Sequence, residues 1–183
     1  MRRQPAVKTI LKAMFCLLPL LVLAGCTPPL RPGSTLELAE QNRNSVTVKV
    51  ALEIDAGGQA WLAATFTPAD PALHLYSKDL PKDGVNGLGR PTLLELVPGT
   101  RLEAAGGLVE STPAQPGQDP DGLAEYPAGP VTLRLPVRLP EGRGWFDERV
   151  SVTYMACQLG ACHPPVENEL IPVHIPGEEE ITR

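Results

Sequence analysis

Two cysteines near the C-terminus, Cys157 and Cys162, are the residues whose type and spacing best support redox chemistry in this chain. Two thiols can form a disulfide and exchange it with another protein, or they can hold a metal ion together with a histidine such as His163. A disulfide requires the segment to fold back, because five extended residues span roughly 16 Å whereas bridged Cα atoms lie about 4.4 to 6.8 Å apart. Gly160 can supply the turn, so we predict the tip of a hairpin here.

The other two cysteines lie in an N-terminal segment that is typical of an export signal. Basic residues within 1–12 precede an apolar run at 13–25. The run is too short for a bilayer core, which needs about 20 apolar residues, so we expect no permanent transmembrane helix. It ends in Leu23-Ala24-Gly25-Cys26, which resembles the lipobox of bacterial lipoproteins. We therefore predict a signal peptide at 1–25 and a lipid on Cys26, with an ordinary secretory signal as the alternative.

This processing would leave one cysteine pair. Cys16 leaves with the signal peptide and Cys26 is consumed by the lipid, so Cys157 and Cys162 remain. The predicted location is the cell envelope, lipid-anchored and extracytoplasmic, where disulfides form and persist. A loop this short adds only about 2 kcal/mol of stability in the chain-entropy picture, which makes a purely structural role a weak explanation for the pair.

The chain that positions this pair alternates apolar and polar residues, which predicts strands. The alternation is clearest at 46–54 and 131–139, where every second residue is Val, Leu or Ile. Further strands are predicted at 61–67, 92–97, 150–156 and 170–175, between segments rich in Gly, Pro and Asp. Many short strands with turns between them favour an all-β sandwich. Pro136 cannot donate a ladder hydrogen bond, so it predicts an edge position for its strand.

The strand pattern and the local composition also predict the domain boundaries. Residues 26–44 are predicted to be a lipidated, proline-rich tether with a short helix at 35–43. The β-sandwich is assigned to 45–176, and the acidic tail at 177–183 is expected to be disordered.

Residues 154–165 resemble the C-terminal hairpin of one family, the N-terminal periplasmic domains of the thiol:disulfide interchange protein DsbD. The matching residues are Cys157, Cys162, Pro164 and Pro165, and the segments His74-Leu75-Tyr76-Ser77-Lys78 and Gly89-Arg90-Pro91-Thr92 resemble an earlier part of the same domain. The resemblance implies an immunoglobulin-like β-sandwich that exchanges disulfides. The chain lacks that family's transmembrane segments and thioredoxin-like domain, so another protein would have to supply its reductant.

The resemblance also implies roles for single residues. Cys162 would attack a partner disulfide and Cys157 would resolve the mixed disulfide. Tyr76 and Tyr126 would line the site, with Glu125-Tyr126 as a cap over the sulfurs. The alternative is that both tyrosines are core or rim aromatics. His163 could favour the Cys162 thiolate if it were protonated, although adjacent side chains of a strand point apart and the favoured interpretation is an ordinary surface residue.

The implied partners are thiol-disulfide proteins of the envelope and a membrane electron carrier, with the membrane itself contacted through the lipid. A net charge of −5 and the lack of a later basic cluster argue against nucleic acid. No cofactor or hydrolase motif is found. Two other readings stay open: a non-catalytic binding or assembly module with a structural disulfide, and a metal site that adds His74 or His174 to the cysteines, although the Cys-x4-Cys-His spacing is unlike that of zinc sites.

Overall fold

The computed structural model describes residues 30–117 and 122–181; the predicted signal peptide and Cys26 lie outside the described residues. In chain order the strands are β1 (Ser34–Arg43), β2 (Val46–Ile54), β3 (Ala60–Pro68), β4 (His74–Leu75), β5 (Leu93–Leu96), β6 (Glu103–Ala104), β7 (Val109–Glu110), β8 (Gln115–Pro116), β9 (Ala124–Glu125), β10 (Val131–Arg138), β11 (Trp145–Tyr154), β12 (Ala156–Gln158), β13 (Ala161–Cys162) and β14 (Val166–Pro176), followed by a 3₁₀ turn at Glu178–Glu180.

Two antiparallel sheets form the body of the domain. The larger has the order β1-β2-β3-β10-β6, with β7 also paired to β10, and the smaller has the order β14-β11-β5. Two small pairings lie outside these sheets: β13-β12-β4, which carries both cysteines, and β8-β9. The predicted all-β sandwich with the cysteine pair on a C-terminal hairpin is confirmed.

The core fills the space between the two sheets and follows the alternation of the sequence. In β2, Val46, Val48, Val50, Leu52 and Ile54 are all buried. The inward residues of β10, β11 and β14 belong to the same apolar cluster. Because side chains of a strand point alternately to its two faces, the sequence pattern was sufficient to identify the core face of these strands.

The helix predicted at 35–43 is wrong: this segment lies within β1, which pairs with β2 along its whole length. Asn44 and Ser45 form the connecting turn with positive φ values of 49° and 63°, the combination of a two-residue type I′ hairpin. Helix propensities differ by only tenths of a kcal/mol per residue, so pairing with β2 and packing of Leu36 and Leu38 against the core override them. The domain therefore begins before residue 45.

The C-terminal boundary of the domain lies beyond the predicted residue 176. Glu178–Glu180 form a 3₁₀ turn, and Ile181 makes a parallel bridge with Leu30. Both apolar side chains pack against the core, and the Leu30 N–H donates to the Glu180 carbonyl at 3.2 Å. The predicted disorder is thus wrong for 177–181, and the predicted tether joins the core at Leu30, because the two ends of the domain cover each other's apolar residues.

Pro136 lies in a strand that has neighbours on both sides, contrary to the predicted edge position. One side of β10 pairs with β3, and the other pairs with β6 and β7, which are two residues each. The Pro136 carbonyl accepts from the Ala105 N–H at 2.8 Å on the β6 side. Since the N and O of a strand residue face the same side, the missing N–H faces the interval between these short strands, where no ladder bond is lost.

Tyr154 ties β1 to the smaller sheet, and its replacement tests the corrected boundary. Its hydroxyl donates to the Arg43 carbonyl at 3.0 Å, its ring packs edge-on against Phe66, and burial raises its pKa to about 12, so it remains a donor at neutral pH. We expect Tyr154→Phe to lower the free energy of unfolding by about 1 kcal/mol, the usual net value of one hydrogen bond. Urea denaturation followed by tryptophan fluorescence measures this, and an unchanged midpoint would contradict the role of the bond.

Candidate functional site

The cysteine pair lies on a short hairpin that leaves the sandwich at the end of β11. In the register of β12 and β13, Cys157 lies directly opposite Cys162, and the His163 N–H donates to the Ala156 carbonyl at 2.9 Å. Gly160 has a φ of 79°, so it supplies the predicted turn. The two sulfurs form a disulfide, with the Cα atoms 4.0 Å apart. The predicted hairpin tip is confirmed.

The two sulfur-bearing residues differ sharply in exposure. Cys157 is 1% exposed, whereas Cys162 is an exposed residue at the edge of the hairpin. Cys162 is therefore open to solvent, whereas Cys157 is covered by the domain. This asymmetry comes from the packing of β12 and has no signal in the local sequence.

A third strand places a histidine beside the buried cysteine. β4 pairs with β12 on the side away from β13, and its His74 lies directly opposite Cys157. Directly opposite residues of an antiparallel pair project from the same face of the sheet, with Cβ atoms about 4.5 to 5.5 Å apart. Cys162, Cys157 and His74 therefore form one row across the small sheet.

His74 is held by two neighbours. Its Nε2 lies 3.3 Å from Oε2 of Glu125, and the exposed fractions of these two side chains are only 15% and 18%. Its ring meets the ring of Tyr76 edge-on, with centroids 5.3 Å apart. Glu125 reaches this position because Tyr76, two residues after His74, bridges to it in antiparallel fashion.

A small apolar cluster, separate from the main core, covers Cys157. It consists of Cys157, Tyr76 and Leu123, with the partly buried Leu80 and Met155 packed against it. Gly89 makes this packing possible, since a Cβ there would lie 3.1 Å from Leu80 and 3.2 Å from Leu123. We refer to these residues as the sulfur cluster.

The structure brings together the two upstream segments singled out in the sequence. Tyr76 makes a parallel bridge with Pro91, and the Thr92 hydroxyl donates to the Tyr76 carbonyl at 2.8 Å. Tyr76 is 3% exposed and belongs to the sulfur cluster, as a residue lining the site would.

Tyr126 lies elsewhere: its ring belongs to the main core rather than to the sulfur cluster. Its hydroxyl donates to Glu110 Oε2 at 2.6 Å and accepts from the Lys78 N–H at 3.1 Å. Burial, and secondarily the hydrogen bond to Glu110, raise the pKa of this phenol well above its usual range. The residue of this segment that belongs to the sulfur cluster is Leu123, the second candidate for the cap in the same loop.

His163 follows Cys162 on the hairpin and is partly exposed. Consecutive residues of a strand point to opposite faces, so its ring projects away from the face that carries the sulfurs. The histidine that shares a face with the cysteines is His74, which the sequence places far away and only the strand register brings into the row.

An open groove of about 410 Å³ lies beside the hairpin. Its wall includes His74, Glu125 and Tyr126, and the hairpin tip contributes Leu159, which is 85% exposed. The groove gives solvent a route to the partly buried His74–Glu125 pair.

Two further findings concern only residues 30–117 and 122–181. Within these ranges no group of three or more His, Cys, Asp and Glu side chains is arranged to hold a metal ion. His174, one of the residues considered for such a site, lies on β14 with its Nδ1 2.8 Å from Asp147. No helix in the described ranges has the length and apolar character to cross a membrane.

Neither a family model nor a curated protein matches this chain. Among solved structures, the chain is similar to the Neisseria meningitidis DsbD N-terminal domain in the reduced form, with 17% identity over 73% of this chain and 86% of that chain and a TM-score of 0.46. The site described above therefore rests on the strand register, burial and contacts of this chain itself.

Leu123 should shield Cys157, and this can be measured on the reduced protein. We expect Leu123→Ala to speed alkylation of Cys157 by iodoacetamide about tenfold, because it removes the aliphatic cover from a sulfur that is otherwise inaccessible. Peptide mass spectrometry gives the two cysteine rates separately. Leu159→Ala is the matched control, since this leucine is exposed and should leave the Cys157 rate unchanged. If Cys157 were alkylated at the same rate in Leu123→Ala and in the wild type, Leu123 would not be the cap, and Tyr126 would remain the candidate.

Proposed function

We propose that this protein exchanges disulfides outside the cytoplasm, passing electrons between a membrane electron carrier and thiol proteins of the envelope through Cys157 and Cys162. In this proposal Cys162 attacks the partner disulfide and Cys157 resolves the intermediate. The observation that carries the proposal is the contrast between an exposed Cys162 and a buried Cys157 within one cross-strand disulfide.

A structural role is a poor account of this disulfide. It closes a loop with a sequence separation of 5, which adds only about 2 kcal/mol in the chain-entropy picture. The two-sheet core is built from other residues and does not include either sulfur. A bond that only stabilised the fold would gain nothing from having one sulfur at the surface, whereas exchange requires an accessible sulfur.

The exchange conserves electrons and atoms. The Cys162 thiolate attacks one sulfur of a partner disulfide, the partner's S–S bond breaks, and the displaced partner thiolate takes up a proton. The Cys157 thiolate then attacks Cys162, which forms the Cys157–Cys162 bond and releases the second partner thiol. Two electrons leave this protein and reduce the partner, and a dithiol protein must restore them. The reverse sequence oxidises a partner dithiol.

The proposed location rests on the sequence at the N-terminus, and it predicts a modified mature protein. We expect the mature chain to begin at Cys26 with an attached lipid, which intact mass spectrometry of the envelope fraction detects. Cys26→Ser should release or mislocalise the protein, because the lipid is the proposed anchor. An unmodified N-terminus at another residue would contradict the lipoprotein part of the proposal and would leave the exchange chemistry standing.

Trapping of a mixed disulfide tests the exchange itself. Cys157→Ala removes the resolving thiol, so we expect it to accumulate a covalent complex through Cys162 on a non-reducing gel. Cys162→Ala should trap several-fold less, because the remaining thiol is buried. The opposite pattern would keep the exchange and reverse the two roles. Absence of a complex with either variant, together with a wild-type reduction potential below about −300 mV, would favour a binding or assembly module with a structural disulfide.

A further inference from the structure

We propose that His74 accepts the proton of the Cys157 thiol when Cys157 resolves the mixed disulfide, and that Glu125 is the positioning residue that orients His74. The inference rests on the proposed function and adds to it a proton acceptor for the buried thiol. Burial protects Cys157 from solvent, so it also removes the water that would otherwise take its proton.

The strand register supplies the proximity. β12 is the middle strand of the small sheet, so Cys157 has Cys162 opposite it on one side and His74 opposite it on the other. All three side chains project from one face. His74 therefore borders the thiol that must lose its proton, while Cys162 borders it on the side where the new S–S bond forms.

Glu125 favours the form of the imidazole that this task needs. A carboxylate 3.3 Å from Nε2 favours the tautomer with its proton on Nε2 and the lone pair on Nδ1. The lone pair on Nδ1 is then the acceptor that His74 can offer to Cys157, which lies directly opposite it in the register.

Ionisable groups face His74 from its own segment and from neighbouring strands. Glu125 faces it from β9, Tyr76 from its own segment, and the two cysteines from β12 and β13. Tyr126 shares the groove wall, with its hydroxyl engaged by Glu110. Because the groove is open to solvent, the imidazolium can pass its proton to water after each turnover.

Resolution of the mixed disulfide conserves protons and electrons. In the mixed disulfide, the Cys157 S–H proton moves to the neutral imidazole of His74, and the resulting thiolate attacks the sulfur of Cys162. The Cys157–Cys162 bond forms as the bond to the partner breaks. The partner sulfur leaves as a thiolate and takes up a proton from solvent, while His74 returns its proton to solvent.

The reaction of the reduced mature protein, in which Cys16 has been removed and Cys26 is lipidated, with 5,5′-dithiobis(2-nitrobenzoate) separates the two thiol steps. Attack by Cys162 releases one coloured thiolate in a phase that depends on reagent concentration. Resolution by Cys157 releases the second in a phase that does not. Cys157→Ala identifies the phases, because it should release only the first equivalent from this pair.

We expect His74→Gln to slow the second phase about tenfold or more at pH 7 and to leave the first within about twofold. The difference between the second-phase rates of the variant and the wild type should shrink towards about pH 10. An ordinary thiol ionises near pH 8.5, so above that pH it needs no proton acceptor. A purely structural effect would slow the second phase by the same factor at every pH, and that result would overturn the proposal. An unchanged second phase would overturn it as well.

His174→Gln is the matched control, since it alters a histidine that also pairs with a carboxylate but lies on β14 away from the hairpin. It should change neither phase. If His74→Gln misfolds, the pH dependence of the second phase in the wild-type protein tests the proposal. A rate constant that stays level between about pH 7 and 8 supports a proton acceptor, whereas a rate constant that rises tenfold per pH unit from pH 5 to 8 overturns the proposal. Loss of the second phase in wild type would instead refute the resolving role of Cys157 in the proposed function.

Discussion

The antiparallel pairing of β12 with β13 on one side and β4 on the other is the constraint on which the site depends. This register sets Cys157 opposite Cys162 and His74 at once, so a shift of one residue would separate the sulfurs and turn the histidine to the other face. β12 follows β11 after the single residue Met155, and β11 is the central strand of the smaller sheet. The core therefore fixes the position of the hairpin base, while the tip projects beyond it.

The division of the apolar residues into two clusters matters as much as the register. The main core holds the sandwich together and includes neither sulfur, whereas the sulfur cluster packs only around Cys157. The residues around Cys157 thus pack separately from those that join the two sheets.

Tyr126 packs in the main core while its segment also contributes to the sulfur cluster through Leu123. Its ring is anchored in the core, its hydroxyl is held by Glu110 and Lys78, and its N–H donates to the Leu75 carbonyl at 2.8 Å. These bonds fix the segment that carries Glu125 and Leu123. The tyrosine therefore holds its neighbours in the chain in place through its core packing and its hydrogen bonds.

Local pattern determined much of this protein: the alternation in β2 and β10 gave the core faces, and Cys157, Gly160 and Cys162 gave the hairpin. These features depend on neighbouring residues, so a sequence contains them directly. Only the tertiary structure decided that 35–43 is a strand, that Leu123 rather than Tyr126 packs with Cys157, and that His74 faces the buried sulfur. Each of these depends on pairing between distant segments, whose hydrogen bonds and buried area outweigh propensities of tenths of a kcal/mol per residue.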